Sequence, residues 1–226
     1  GLARLLQKGF LSEESEVLDI GCGPGRYIIP FAKTVKKVTG TDISSKMLDL
    51  LLENAKEAGL NNVEAVKLDW TNATGEEELF KERFDFVFSV QSPGVRDRGS
   101  LRKMMMVSRG YCMISNFVYR RDTLQERVKE ELDLKNHYDP HNNRDRIQAI
   151  FNLLWLDGYT PELTYLHDSG ESTLTEEEAF RYYGRRIRGL EEDQKEAVKE
   201  IISKMSSDGR ISISSDSTMA LLVWKV

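Results

Sequence analysis

The chain has 226 residues, 31% of them charged, and a formal net charge of −5, with a mean hydropathy of −0.46. That length suits one domain with a sizeable core and room for a small subdomain, and the negative balance leaves no electrostatic footprint for nucleic acid beyond a local basic patch. Two cysteines, Cys22 and Cys112, imply neither a disulfide framework nor a zinc site, and no apolar run approaches the roughly 20 residues that cross a bilayer.

Read in chain order, residues 2 to 9 suggest a short helix with Leu2, Leu5 and Leu6 on one side. Val17 to Ile20 is a buried strand, and a helix from about Arg26 to Val35 follows a glycine-rich turn. Lys37 to Thr41 is the second strand, with Asp42 at its end. Ser44 or Ser45 caps a helix running to Ala58, with Gly59 as its stop. Met47, Leu51, Ala55 and Ala58 form its expected core-facing stripe. Val63 to Leu68 is strand three, ending at Asp69 and Trp70, and the Glu-rich stretch 76 to 82 is expected as a surface helix. Phe84 to Ser89 is strand four, nearly all apolar as in a central parallel strand. Leu101 to Val107 follows as a helix and Tyr111 to Val118 as strand five.

Beyond that point the pattern is less regular. Asp122 to Leu134 is a charged amphipathic helix, and a polar loop holding His137, Tyr138 and His141 follows. Ile147, Ile150, Phe151 and Leu154 mark a helix stopping at Gly158, and Glu162 to Leu166 is strand six. Thr175-Glu-Glu-Glu is a capping box opening a helix to about Arg188. A further helix turns Val198, Ile201, Ile202 and Met205 inward, and Ile211 to Ile213 with Met219 to Val226 suggest a terminal hairpin. The β-α alternation argues for an α/β, doubly wound, mostly parallel sheet. Ligands on such sheets bind beyond the C-terminal strand ends, where strand order reverses, and Gly21, Gly23, Gly25, Asp42, Asp69 and Gln91 all fall there.

The most informative string is 17 to 26, Val-Leu-Asp-Ile-Gly-Cys-Gly-Pro-Gly-Arg. A turn of this kind lets backbone approach a ligand where no side chain fits, and an acid on the next strand can hold the two hydroxyls of a ribose. The dinucleotide fingerprint requires a small third position for helix-strand packing; that position is Arg26. The spacing is Gly-x-Gly-x-Gly instead, and in it the chain resembles the class I S-adenosylmethionine-dependent methyltransferases, whose first motif typically reads Leu-Asp-Ile/Val-Gly-Cys-Gly-x-Gly. The resemblance covers about residues 15 to 118 and thins beyond. It implies a seven-stranded sheet with an antiparallel last strand, in whose closing unit the two helices between about 175 and 205 of this chain would be an insertion. A single domain over 1–226 is then expected, with a cofactor-binding core at 15–118, a substrate lid or insertion at 119–210 and a closing hairpin at 211–226.

The resemblance also implies roles toward S-adenosylmethionine. The backbone of Gly21, Cys22, Gly23 and Gly25 would face its methionine part, and Asp19 would orient its amino group. Asp42 would bind the ribose, Ile43 would pack on the adenine, and Asp69 would accept from adenine N6 beside Trp70. Ser89 to Gln91 would form the floor beneath the sulfonium, and Tyr27 could line the pocket mouth. Structural readings compete. Asp19 and Asp69 could be ordinary turn or strand-end acids, Asp42 a helix N-terminal residue, Trp70 core and Cys22 a space-filler.

Methyl transfer needs a base only when the accepting atom loses a proton. His137, Tyr138 and His141 are the candidates, against a reading as solvated loop residues, with His167 beside Asp168 a more distant one. Strand four ends Ser-Val-Gln-Ser-Pro-Gly, unlike the Asn/Asp-Pro-Pro-Tyr/Phe of enzymes that methylate exocyclic base amines. Neither cysteine follows proline, as a cytosine-C5 nucleophile would. Strand four carries no terminal Asp for a catechol-type metal site, Asn116 at the end of strand five being an isolated partial match, so no metal is expected. Arg181, Arg185 and Arg188 share a helix face, either solvated or recognising an anion. Met104, Met105 and Met106 offer an apolar wall or core packing.

The expected activity is in-line methyl transfer to a small-molecule acceptor, with RNA or protein methylation or a silent cofactor-binding module as the alternatives. No membrane partner is expected and a nucleic-acid partner is disfavoured. A reducing cytoplasm is the default location. No signal peptide is read, and Gly1 in place of Met leaves open whether residues precede it.

Overall fold

A computed structural model describes residues 8–81, 84–134, 142–186 and 192–226. Its seven strands are β1 (Glu16–Ile20), β2 (Lys37–Asp42), β3 (Val63–Lys67), β4 (Phe84–Val90), β5 (Ser108–Asp122), β6 (Glu162–Thr175) and β7 (Arg210–Lys225). The helices are α1 (Ile28–Ala32), α2 (Ser45–Glu57), α3 (Arg98–Met106), α4 (Thr123–Glu131), α5 (Asp145–Leu156), α6 (Glu176–Arg186) and α7 (Glu192–Met205). The strands form one sheet in the order β3-β2-β1-β4-β5-β7-β6. From β1 the chain builds outward through β2 and β3, then returns to place β4 and β5 on the other side. The reversal therefore lies between β1 and β4, where α/β sheets open a crevice for ligands.

Strands β1 to β5 pair in parallel. The last strand runs against its neighbours. The Val226 amide donates to the Gly110 carbonyl at 2.9 Å and the Ser214 amide to Thr123 Oγ1 at 3.2 Å, so β7 is antiparallel to β5. His167 meets Thr218, Asp168 meets Ser217 and Gly170 meets Ser215 in descending register, so β6 and β7 are antiparallel too. The seven-stranded, doubly wound fold implied by the resemblance is the fold observed, and α6 and α7 stand between β6 and β7 as the expected insertion.

The departures have local causes. The first helix begins at Ile28 rather than Arg26 because Pro30 lacks the N–H that would bond the Arg26 carbonyl, between the Ile29–Gly25 and Phe31–Tyr27 bonds. The Glu-rich stretch forms a 3₁₀ turn, Glu78–Lys81, preceded by a Glu77 carboxylate that takes the Thr74 and Gly75 amides at 2.9 Å each. In α2 the buried row is Leu48, Leu51 and Ala55, so Met47 is half-buried and Ala58 exposed. Residues 210 to 225 form one continuous strand rather than a hairpin. The polar segment Ser214 to Ser217, which reads as a turn, instead hydrogen-bonds across to β6. Of the expected N-terminal helix, residues 2 to 7 lie outside the described residues, and Lys8 and Gly9 form a turn.

The chain forms two compact units. The first comprises Gly1–Asn116, Asp145–Leu166 and Ala220–Val226. Its core is built on Val17, Leu18 and Ile20 of β1 and Phe84, Phe86 and Phe88 of β4, with Phe31 of α1 stacked on Phe88 at 4.8 Å between centroids. The second comprises Phe117–Arg144 and His167–Met219. Its core joins Leu124 and Val128 of α4, Ala179 and Tyr183 of α6, Val198, Ile201 and Ile202 of α7, and Ile211 and Ile213 of β7. The stretch 119–210 is thus divided, with Asp145–Leu166 joining the first unit.

Candidate functional site

The β1–α1 turn lies against the end of β2 because the Gly21 and Cys22 amides both donate to the Thr41 carbonyl, at 2.8 and 2.9 Å. Each glycine of the turn has its own reason. A Cβ on Gly21 would lie 1.9 Å from Ser92 Oγ, so this residue is where the turn and the loop after β4 come closest. A Cβ on Gly25 would lie 2.4 Å from Leu51 Cδ1, so it lets α2 pack. Gly23 has φ +54° and meets nothing within 4 Å on its Cβ side, leaving backbone open to a ligand. The Cys22 side chain points away, and a Cβ on Gly40 would touch its Sγ at 2.8 Å. Burial first, then the Asp19 and Asp42 carboxylates, push the Cys22 thiol well up. Cys22 can reach a ligand through its backbone alone.

The acids differ sharply in how they are engaged. Asp19 is 1% exposed, and neither of its carboxylate oxygens has a hydrogen-bond partner among the described residues. Burial, reinforced by the neighbouring Asp42 charge, raises its carboxyl well above the usual range. A buried carboxylate left without a partner is costly, and a cationic donor is what would satisfy it. Asp42 instead accepts the Gly23 amide at 2.9 Å and the Ser44 amide at 2.9 Å, tying the glycine turn to the start of α2. Those two bonds leave lone pairs on both oxygens. Asp69 caps its own turn, accepting from the Thr71 amide at 3.0 Å and Asn72 Nδ2 at 2.8 Å.

A cavity of about 470 Å³ opens at this strand edge, lined by Gly21, Asp42, Ile43, Asp69, Gln91 and Ser92 among others. Ile43 is 64% exposed, an apolar surface offered to whatever enters. Trp70 also lines the cavity, although its ring is buried on Phe80 at 5.2 Å and its Nε1 donates to the Ser100 carbonyl at 3.2 Å. Gln91 takes a left-handed backbone, φ 53°, and its amide donates to the Ser115 carbonyl at 2.9 Å. Ser89 is buried and donates to the Ile20 carbonyl at 3.1 Å, a bond that joins β4 to β1. Tyr27 is half-buried, and desolvation raises its phenol pKa.

One residue of this region belongs to no sequence motif. Arg146 of α5 donates through Nη2 to the Ser92 carbonyl at 2.7 Å and the Val95 carbonyl at 2.6 Å. With its amide turned so that both groups are satisfied, Asn116 accepts from Arg146 Nη1 at 3.1 Å and donates to the Ser115 carbonyl at 2.7 Å. Arg146 thereby fixes the loop that faces Gly21. Its signal in the sequence is a charge extending the apolar row Ile150 and Leu154 at a spacing of four.

The remaining candidates fall elsewhere. His137, Tyr138 and His141 lie outside the described residues. His167 is exposed and bonds Thr218 Oγ1 at 3.0 Å rather than the Asp168 side chain. Met104 and Met105 are core and Met106 is exposed. Arg181 lies on α6, whereas the side chains of Arg185 and Arg188 fall outside the described set. Among the described residues no group of His, Cys, Asp and Glu could hold a metal ion, and no helix is long and apolar enough to cross a membrane.

Residues 11–163 match a family model described as a methyltransferase domain. A tRNA/tmRNA (uracil-C(5))-methyltransferase of Ectopseudomonas mendocina is 34% identical over 71 residues, 30% of this chain and 20% of that one. The chain spans about a sixth to a quarter of the length of the curated relatives it matches. Among solved structures, the fold is shared with a precorrin-6y C5,15-methyltransferase of Geobacter metallireducens, with a TM-score of 0.57, 14% identity and coverage of 99% of this chain and 86% of that one. It is shared also with the magnesium protoporphyrin IX methyltransferase of Synechocystis holding SAH, with a TM-score of 0.53, 16% identity and coverage of 96% and 78%.

Proposed function

The chain belongs to the methyltransferase-domain family, as an S-adenosylmethionine-dependent methyltransferase of the class I fold, and from that premise we propose that its acceptor is a small molecule. The site residues fit the cofactor. Asp19 is a buried carboxylate in want of a cation, and Gly23 offers open backbone. When bound, S-adenosylmethionine supplies a methyl group activated by its sulfonium. In this reading Asp19 takes the amino group, and Asp42 holds the ribose hydroxyls with the lone pairs that Gly23 and Ser44 leave. Ile43 covers the adenine. Asp69 reaches adenine N6 only in competition with its own turn. Holding cofactor and acceptor in line supplies much of the acceleration. A base is required only for an acceptor that loses a proton, and His137, Tyr138 and His141 remain the sequence's candidates for it.

The observation that sets this chain apart from the chemistry named for its RNA-modifying relatives, and so supports the small-molecule reading, is the state of the thiols. Methylating a uracil at C5 calls for a side-chain nucleophile that adds to the ring, a task suited to a thiolate. The chain has two cysteines. Both are buried, and burial pushes both thiols up, Cys112 to about 12. The chemistry named for the RNA-modifying relatives therefore has no nucleophile of that type here.

An RNA acceptor is the second reading, and those relatives favour it; beside them the net charge of −5 does not decide against nucleic acid. Two free thiols suit a reducing cytoplasm, where we place the protein. The test is transfer of labelled methyl from S-adenosylmethionine into a lysate separated into small-molecule, RNA and protein fractions. Label in the small-molecule fraction supports the reading. Label confined to RNA or protein overturns it.

A further inference from the structure

The second unit holds a cavity of its own, about 640 Å³, lined by Arg120, Arg181, Tyr182, Tyr183, Ser172 and Ser215 among others. That volume is within the range of small-ligand sites. Its walls are partly apolar, from Leu174, Ile213 and the Tyr183 ring, and its cations converge from two elements, β5 and α6. Arg120 is half-buried, lies over the Phe117 ring at 5.1 Å and donates through Nη2 to Tyr182 Oη at 2.8 Å. Its guanidinium is thus oriented rather than free to rotate. Arg181 is exposed on α6 and lines the cavity one turn beyond Glu178.

Two acids line the same cavity, but both serve helix starts. Asp122 accepts the Gln125 amide at 2.7 Å as the cap of α4. Glu178 accepts the Thr175 amide at 2.9 Å and Thr175 Oγ1 at 3.1 Å, closing the capping box of α6. These bonds hold both carboxylates at the positive helix ends, and the Glu178 carboxyl, lowered first by its bonds to Thr175, is lowered also by the Arg181 charge. What remains for a ligand is two guanidinium groups, the Ser172 hydroxyl and aromatic or aliphatic surface, the Ser215 hydroxyl being turned to the Gly170 carbonyl at 3.4 Å. Arginine presents a planar fork matched to carboxylate and phosphate oxygens.

We propose that this cavity binds an organic anion, a carboxylate or phosphate carried on a flat apolar body, with Arg120 and Arg181 on the charged group and Tyr183, Leu174 and Ile213 against the body. The site goes beyond the cofactor reading and stands without it.

The test is calorimetric titration of the whole chain with phenyl phosphate, and with phenol as its neutral counterpart. Phenyl phosphate is expected to bind at least tenfold more tightly than phenol and to weaken with added salt. Arg120→Gln and Arg181→Gln should each reduce its affinity fivefold or more. Arg181 is exposed, so its variant keeps the test open if loss of the Arg120–Tyr182 bond impairs folding. S-adenosylmethionine titrated into the same variants should bind within twofold of the parent, which separates this site from the cofactor site. No saturable binding of phenyl phosphate, equal affinity for phenol, or unchanged affinity in Arg181→Gln overturns the proposal.

Discussion

Replacing Asp19 by Asn should stabilise the ligand-free protein while crippling its cofactor site. The carboxylate is buried without a partner, and burial together with the Asp42 charge raises its pKa. An acid whose folded pKa exceeds its unfolded value makes the folded state bind more protons. Stability therefore falls as pH rises from the unfolded value of about 3.9 through the raised one. At neutral pH that cost is present in full or in part, and a neutral isostere removes it. An unsatisfied buried polar group costs about 1–3 kcal/mol, more when charged, and an Asn side chain retains some of it. A net gain on the order of 1 kcal/mol is expected, or about 2–4 °C in Tm for a chain of this size. The cofactor's ammonium group would lose a charge-assisted bond of about 1.5–3 kcal/mol, which is roughly ten- to a hundredfold in Kd. Thermal melts from pH 5 to 8 and calorimetry with S-adenosylmethionine read the two effects. The parent should also bind cofactor more tightly as pH rises, releasing a proton, and the variant should not. A lower Tm for the variant with unchanged cofactor affinity would falsify the assignment, since Asp19 would then be a structural acid.

Gly21→Ala should abolish measurable cofactor binding, because Gly21 has φ +76° and its Cβ would lie 1.9 Å from Ser92 Oγ and 2.6 Å from Ser92 Cβ. Ser92→Gly in the same chain should restore part of it, and a double variant as defective as the single one would disprove the contact as the cause. Asp42→Ala should weaken S-adenosylmethionine by at least tenfold, since the change frees the Gly23 amide as well as removing the ribose acceptor; unchanged affinity by calorimetry would remove Asp42 from the site. Asp85 is held low by Arg109, at 2.7 and 2.9 Å, and by the Glu16 amide. Its contribution should be present above about pH 3.9 and lost as pH falls through the depressed value, so Asp85→Asn should flatten the acid limb of a Tm-against-pH curve, and an identical limb would count against the pair. Neither thiol should react with Ellman's reagent in the native protein, both being buried, whereas both should react in denaturant; rapid native labelling would reopen the thiolate chemistry.

What the sequence determined was whatever a few neighbouring residues can encode. The run from Val17 through Gly25 specifies a strand, a turn and a helix start. The apolar alternation places Asp42 at a strand end beside it, and Thr175 with Glu178 specifies a helix start through bonds only three residues apart. Tertiary structure decided everything that depends on a distant partner. Asp42 was legible as a strand-end acid beside the glycine turn, yet its bond to Gly23 joins positions 19 apart, and the turn chemistry of Asp69 competes with its expected role. The Trp70 ring went mainly to the core because Phe80 and the Ser100 carbonyl were there to receive it. Residues 214 to 217 became strand rather than turn because β6 supplied the missing partners. Arg146 and the cavity around Arg120 had no motif at all, since each draws its groups from elements far apart in the chain. Local periodicity sets the elements, but hydrogen-bond satisfaction and close packing are non-local, and they fix which groups remain available for chemistry.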